Sequence, residues 1–402
     1  MLHCSKNASR VLSQCRHRRR RTNIPGLHDT ITRLSALRSR LPQPLPENSD
    51  PRLKELSGFG SNPGNLLART YVPENLGAGA ALVVVLHGCT QSASGYNQGA
   101  GWTSVADEHG FAVLFPEQQR TNNPNLCFNW FSPVDTGRDR GEALSIVQMI
   151  QDLCSLHSID PRRVYITGLS AGGAMTVALL ASYPEVFAGG AVIAGLPFGT
   201  ASSVPEAFER MRGQATFAPG QLTELVRSAS SHTGRWPTLS VWHGRSDKTV
   251  DASNAAALVD QWRGLHNVTA TPTATETIAG QVRHVWCNSD GREVIEEYAI
   301  ANMGHGTPIH AVPINQGETA GPYMLDVGIS STRRIIAFWE LDRGSKPTRV
   351  DAPRIHLEPS AITSGFTLRH QPSASPPPPL PPRGSRVQEV IEKALRSAGL
   401  MK

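Results

Sequence analysis

Residues 164–175 read VYITGLSAGGAM. The β-branched and aromatic run Val164 to Thr167 enters Gly168-Leu-Ser170-Ala-Gly172, and small residues then lead into the helix-forming stretch AMTVALLA. This is G-x-S-x-G in the setting the motif needs: a strand turns sharply into a helix, leaving the serine hydroxyl exposed at the carboxyl edge of a sheet. Glycines at 168 and 172 make room for so crowded a turn. The helix N-terminus behind the serine presents oriented N–H groups that favour developing negative charge. Ser170 is therefore read as a nucleophile, against the plainer alternative of a tight packing turn.

On either side of this junction, strand and helix signals alternate. Strands are expected at Leu66–Val72, Ala81–Leu86 and Phe111–Pro116, and helices at Gly141–His157 and Ala174–Tyr183. After these come the strand AVIAG, a mostly helical insertion across 205–232, the strand TLSVWHG, a helix around Asn254–Leu265, a strand at Glu297–Ala301 and a helix near Thr332–Leu341. ALVVVL is apolar without a break, as suits a strand covered on both faces. The pattern predicts an α/β fold: a mostly parallel sheet with helices on both faces, forming a single catalytic domain between N- and C-terminal tails.

The tails differ from the domain in composition. Residues 1–58 are a basic tail with a short helix over Asp29–Leu41 and a proline-rich linker, the domain spans 59–345, a proline-rich linker covers 346–384, and an amphipathic helix occupies 385–402. The net charge of +6 is concentrated in the first forty residues, so the remainder is near neutral and nucleic acid is not an expected partner. Six cysteines without C-x-x-C or Cys/His spacing indicate neither a disulfide scaffold nor a metal site. No run approaches the roughly eighteen apolar residues that a membrane helix needs. The arginine run at 18–21 is not followed by an apolar signal core, so a cytoplasmic location is expected, with secretion as the alternative.

A serine hydroxyl is a weak nucleophile unless a base takes its proton and a further group orients that base. Trp242-His-Gly-Arg-Ser-Asp247 follows the strand TLSV, and Asn302-Met-Gly-His305-Gly follows EYAI, so both side chains fall in loops at strand ends. The order Ser170, Asp247, His305 is the one the α/β-hydrolase arrangement uses. Asp251, His310 and His243 are the rivals considered for the acid and the base. His87, in LHGCTQ, is read as a structural histidine; that loop offers the backbone N–H of Cys89, which together with the N–H of Ala171 would receive an oxyanion.

LHGCTQSASGYNQGAGWTSVADEHGFAVLFPEQ, CFNWF, IDPRRVYITGLSAGGAMTVALLASYPEVFAGGAVIAGLPFG, WHGRSDKTV and MGHG together resemble the polyhydroxybutyrate depolymerase family of α/β-hydrolase esterases, relatives of feruloyl and acetylxylan esterases. The likeness covers about residues 59–341 and implies ester hydrolysis through an acyl-enzyme, with no metal or organic cofactor. It implies Ser170 as nucleophile, Asp247 as orienting acid, His305 as base and Cys89 with Ala171 as oxyanion donors. The implied partner is a polyester or small ester, with a polymer granule surface as a further candidate. A feruloyl, acetylxylan or general short-chain esterase is the alternative, and a non-catalytic granule- or nucleic-acid-binding protein the weaker one. Cys127 in CFNWF would bridge to Cys89 in an oxidising compartment and stay a thiol in a reducing one. Trp102 and Trp130 are candidates for an apolar wall around the acyl chain.

Overall fold

A computed structural model describes residues 50–342 except 215 and 313–316. The helices expected over Asp29–Leu41 and 385–402 and the linker at 346–384 lie outside the described residues.

Ten strands form one twisted sheet: β1 (Lys54–Glu55), β2 (Leu67–Tyr71), β3 (Leu82–Leu86), β4 (Ala112–Glu117), β5 (Val164–Leu169), β6 (Gly189–Ile193), β7 (Thr238–Gly244), β8 (Ala274–Ile278), β9 (Gln281–Cys287) and β10 (Glu293–Ile300). Their spatial order is β1-β2-β4-β3-β5-β6-β7-β10-β9-β8. The stretch from β4 to β10 is parallel throughout, while β1 and β2 at one edge and β9 and β8 at the other run antiparallel. The expected sheet is thus present, extended at both edges by antiparallel strands.

Alternation along each buried strand divides the core in two. Leu82, Val84 and Leu86 of β3 point to one face, where they meet Ile146 and Ile150 of α4 (Gly141–His157), Met175 and Leu179 of α5 (Ala171–Ser182), and Leu258 and Trp262 of α8 (Ser253–His266). Val83 and Val85 point to the other face, toward Tyr96 of α1 (Ala93–Ala100), Trp102 and Val105 of α2 (Trp102–His109), and Ile335 of α9 (Ser331–Phe338). On that second face the rings of Trp242 and Tyr298, from neighbouring strands, stack with centroids 3.7 Å apart. Between β4 and α4 lies the short α3 (Pro133–Thr136); the insertion before β7 holds α6 (Val204–Met211) and α7 (Gln221–Arg227); and β11 (Thr307–Ile309) pairs with β12 (Met324–Asp326) beyond β10.

The folded body begins before residue 59. Asp50 is buried and accepts a hydrogen bond from Asn97 Nδ2 at 2.8 Å, and β1 pairs with β2, so residues 50–58 belong to the domain and not to the linker expected there. From β3 the chain crosses to β4 on one side and later returns to β5 on the other. The loops after β3 and β5 therefore diverge at a topological switch point, where open α/β sheets leave a crevice for ligands.

Candidate active site

Ser170 sits between β5 and α5 with φ 56° and ψ −117°, a left-handed backbone conformation that a residue with a Cβ adopts only under constraint. Two hydrogen bonds hold it there: its N–H donates to Ile193 O at 2.9 Å, and its carbonyl accepts from the Ala174 N–H at 2.9 Å. The flanking glycines follow from packing. A Cβ at 168 would lie 2.4 Å from the backbone of Gly172, and one at 172 would lie 2.5 Å from the carbonyl oxygens of both Leu86 and His87. The G-x-S-x-G spacing thus records where strand, helix and the end of β3 press together.

Asp247 and His305 come from the loops after β7 and β10, which are adjacent parallel strands. Backbone hydrogen bonds from the Arg245 N–H to Ile300 O and from the Ser246 N–H to Met303 O, both 2.9 Å, tie the two loops together. Gly244 permits the approach, since a Cβ there would lie 2.4 Å from Met303 O. The result is a hydrogen bond of 2.7 Å between His305 Nδ1 and Asp247 Oδ2. The other carboxylate oxygen accepts the N–H groups of Thr249 at 2.8 Å and Val250 at 2.9 Å, so the acid is fixed at both oxygens. Burial pushes the Asp247 carboxyl up, yet the hydrogen bonds from His243 and His305 and the His305 charge outweigh it and hold the group well below the usual carboxylate range.

The rival residues have other occupations. Asp251 Oδ1 accepts the Ser253 N–H at the start of α8, and the His310 N–H donates to Glu318. His243 is buried, with Nε2 2.9 Å from Val250 O and 3.5 Å from Asp247 Oδ2, a second contact to the acid that the sequence reading missed.

The β3 loop carries His87 and Cys89. His87 is fully enclosed, with Nδ1 2.7 Å from Gly88 O, and Nε2 accepts the Gln118 N–H at 3.1 Å; burial lowers its pKa, and both ring nitrogens are taken up by the backbone. On either side of Cys89 the backbone is pinned: the Gly88 N–H donates to Gln91 Oε1 and the Thr90 N–H to Asn125 O. Ala171 is the first residue of α5, so its N–H has no acceptor within the helix. Cys89 and Ala171 line the same cleft as Ser170, and a disulfide joins Cys89 to Cys127.

That cleft is apolar, walled by Trp130, Phe131, Leu196, Phe208, Met211 and Val250. Trp130 therefore lines the same cleft as Ser170. Trp102 does not: it is 1% exposed within the core on the α1–α2 face, so its expected place in the wall is corrected to core packing. Phe131, Phe208 and Met211 were missed individually, because an apolar residue in a loop or short helix carries no local sign of what it will face. A polar group was missed too. Glu142, buried at the start of α4, accepts hydrogen bonds from Gln118 and Asn129 in the loop that bears Cys127 and Trp130.

Comparison with known proteins identifies the family. Residues 69–284 match the family described as Esterase PHB depolymerase. Over 289 residues the chain is 45% identical to poly(3-hydroxyalkanoate) depolymerase C of Paucimonas lemoignei, covering 71% of this chain and 70% of that protein. It is 32% identical to feruloyl esterase B of Talaromyces stipitatus, covering 64% and 72%. Among solved structures, an acetyl xylan esterase from Aspergillus awamori superposes with a TM-score of 0.61 at 23% identity over 72% of this chain and 99% of that one, a likeness of fold. The chain belongs to the PHB depolymerase family of esterases and has the α/β-hydrolase fold.

Proposed function

We propose that the protein hydrolyses the ester bonds of a poly(3-hydroxyalkanoate) or its hydroxyacyl oligomers, with Ser170 as nucleophile, His305 as general base and Asp247 as the acid that orients it. With His305 Nδ1 engaged by Asp247, Nε2 is the nitrogen left to take the serine proton. Ser170 Oγ attacks the ester carbonyl, and the N–H groups of Cys89 and Ala171 receive the oxyanion. Collapse expels the alcohol, which takes its proton from His305, and leaves an acyl-enzyme. Water activated by His305 then releases the acid and restores the serine.

The observation that carries the substrate reading is the 45% identity to a poly(3-hydroxyalkanoate) depolymerase over most of the domain. The apolar cleft beside Ser170 suits the short aliphatic repeat of such a polymer, and the polymer granule surface is the proposed partner. The 32% identity to a feruloyl esterase supports a second reading, a feruloyl or acetylxylan type of ester. The Cys89–Cys127 disulfide favours an oxidising compartment, and thus secretion over the cytoplasm.

The test is release of hydroxybutyrate from amorphous poly(3-hydroxybutyrate), beside hydrolysis of p-nitrophenyl butyrate and methyl ferulate, for wild type and Ser170→Ala. Polymer release that falls at least about a thousandfold in the variant, with unchanged circular dichroism, is expected. Turnover of methyl ferulate without polymer release would transfer the protein to the second reading.

A further inference from the structure

Glu142 is the second residue of α4, a place where a carboxylate usually faces water and complements the helix dipole. Here it turns inward and is 1% exposed. Burying a carboxylate is costly unless hydrogen bonds replace its hydration. Oε1 accepts from Gln118 Nε2 at 2.6 Å and from Asn129 Nδ2 at 2.8 Å, while Oε2 accepts from the Asn129 backbone N–H at 2.9 Å. Among the described residues no Lys or Arg pairs with it. Burial, aided by the charge of Asp135 on α3, raises the carboxyl, while the three N–H donors on its oxygens act the other way and favour the ionised form.

All three donors belong to the loop between β4 and α3. Gln118 also donates from its N–H to His87 Nε2 and from Nε2 to Cys127 O at 3.2 Å. Asn129 Oδ1 accepts from Asn123 Nδ2, and Asn123 Oδ1 accepts the N–H groups of Asn125 and, at 3.4 Å, Cys127. Asn125 O in turn accepts the Thr90 N–H at 2.7 Å, next to Cys89. Between Gln118 and Phe131 the one fully buried apolar side chain is Phe128. The loop is therefore held by the Cys89–Cys127 disulfide, by amide hydrogen bonds from Gln119 and Asn122 to residues 64 and 65, and by three N–H groups that end on the Glu142 carboxylate.

We propose that Glu142 is a positioning residue for ester hydrolysis: through Gln118 and Asn129 it fixes the loop that bears Cys127 and Trp130, and with it the acyl wall and the Cys89 N–H. This rests on the reading of the cleft given above. The carboxylate touches no reacting atom; it sets the place of groups that do.

Glu142→Gln keeps shape and volume but turns one acceptor into an N–H donor facing other donors. Active sites are first counted by titration with a fluorophosphonate. Per titrated site, kcat for p-nitrophenyl butyrate is expected to fall about tenfold, a fraction of what losing a whole oxyanion donor costs. KM should rise severalfold for the butyrate and less for the acetate, because the longer chain depends more on the wall. Wild-type kcat and KM per site, whatever the thermal midpoint, would overturn the proposal. If that variant does not fold, Asn129→Ala removes one donor of the three and should shift KM in the same direction; an unchanged KM there would equally overturn it. Wild type that does not react with the fluorophosphonate would instead overturn the serine reading on which this one stands.

Discussion

Asp247 answers to two histidines and two backbone N–H groups, and replacing it separates its roles. In Asp247→Asn the side-chain carbonyl still accepts the N–H groups of Thr249 and Val250, but the amide presents a donor to His305 Nδ1. The ring would then carry its proton on Nε2, the wrong nitrogen for a base. A loss in kcat of about a thousandfold to ten-thousandfold is expected with little change in KM. Stability has its own signature. The folded-state pKa of Asp247 lies below the unfolded value of about 3.9. The carboxylate thus adds stability above that value and loses it as the pH falls toward the folded pKa. Thermal midpoints of wild type and Asp247→Asn should converge from about pH 5 downward, and parallel midpoints would contradict the assigned shift. The placement of Ser170, Asp247 and His305 at the ends of β5, β7 and β10 was legible in sequence, because each follows an apolar strand run and sits among glycines or at a polar turn. Trp102 shows the opposite case: nothing local told this core tryptophan from the cleft-lining Trp130, since the difference lies in which neighbours surround each ring.

Among the elements, the β5–α5 turn leaves no room for added atoms. In Gly172→Ala the new methyl would meet two carbonyl oxygens at the end of β3, and backbone cannot yield as a flexible side chain does. A loss of about 1–3 kcal/mol is expected in chemical denaturation, together with most of the esterase activity, since the serine loses its seat. Full activity in a stable Gly172→Ala protein would contradict the packing argument. Strands covered on both faces and the long helix α4 stood out in sequence, as β3, β7 and α4 show with ends within a residue of those expected. The hairpin β8–β9 did not, because Thr275, Glu276 and Thr277 give β8 an exposed polar surface without alternation. Helices α1 and α2 were hidden by glycine and serine in SASGYNQGAGWTS, where tertiary burial of Tyr96 and Trp102 decides what propensity leaves open.

At the scale of the molecule, the disulfide ties two loops separated by 38 residues. Closing a loop of that length removes unfolded-chain entropy worth about 3–4 kcal/mol. Cys127→Ser should lower the thermal midpoint accordingly and make it indifferent to reductant, while wild type treated with reductant should fall to the same midpoint. A variant as stable as the oxidised wild type would show that the bridge contributes nothing. Sequence left this bridge conditional on compartment, since cysteine spacing alone does not bring two loops together.

The hydrogen bonds that seat the site run between loops of different strands: Ser170 to Ile193, Ala194 to Trp242, Arg245 to Ile300 and Ser246 to Met303. No segment short of residues 89 to 305 contains the parts, and β3, β5, β6, β7 and β10 must all pair to hold them in register. A chain that has collapsed with most of its helices formed still has no esterase in it. Turnover is thus a readout of the finished sheet, switched on by the last parallel strand to arrive and lost with the first to leave.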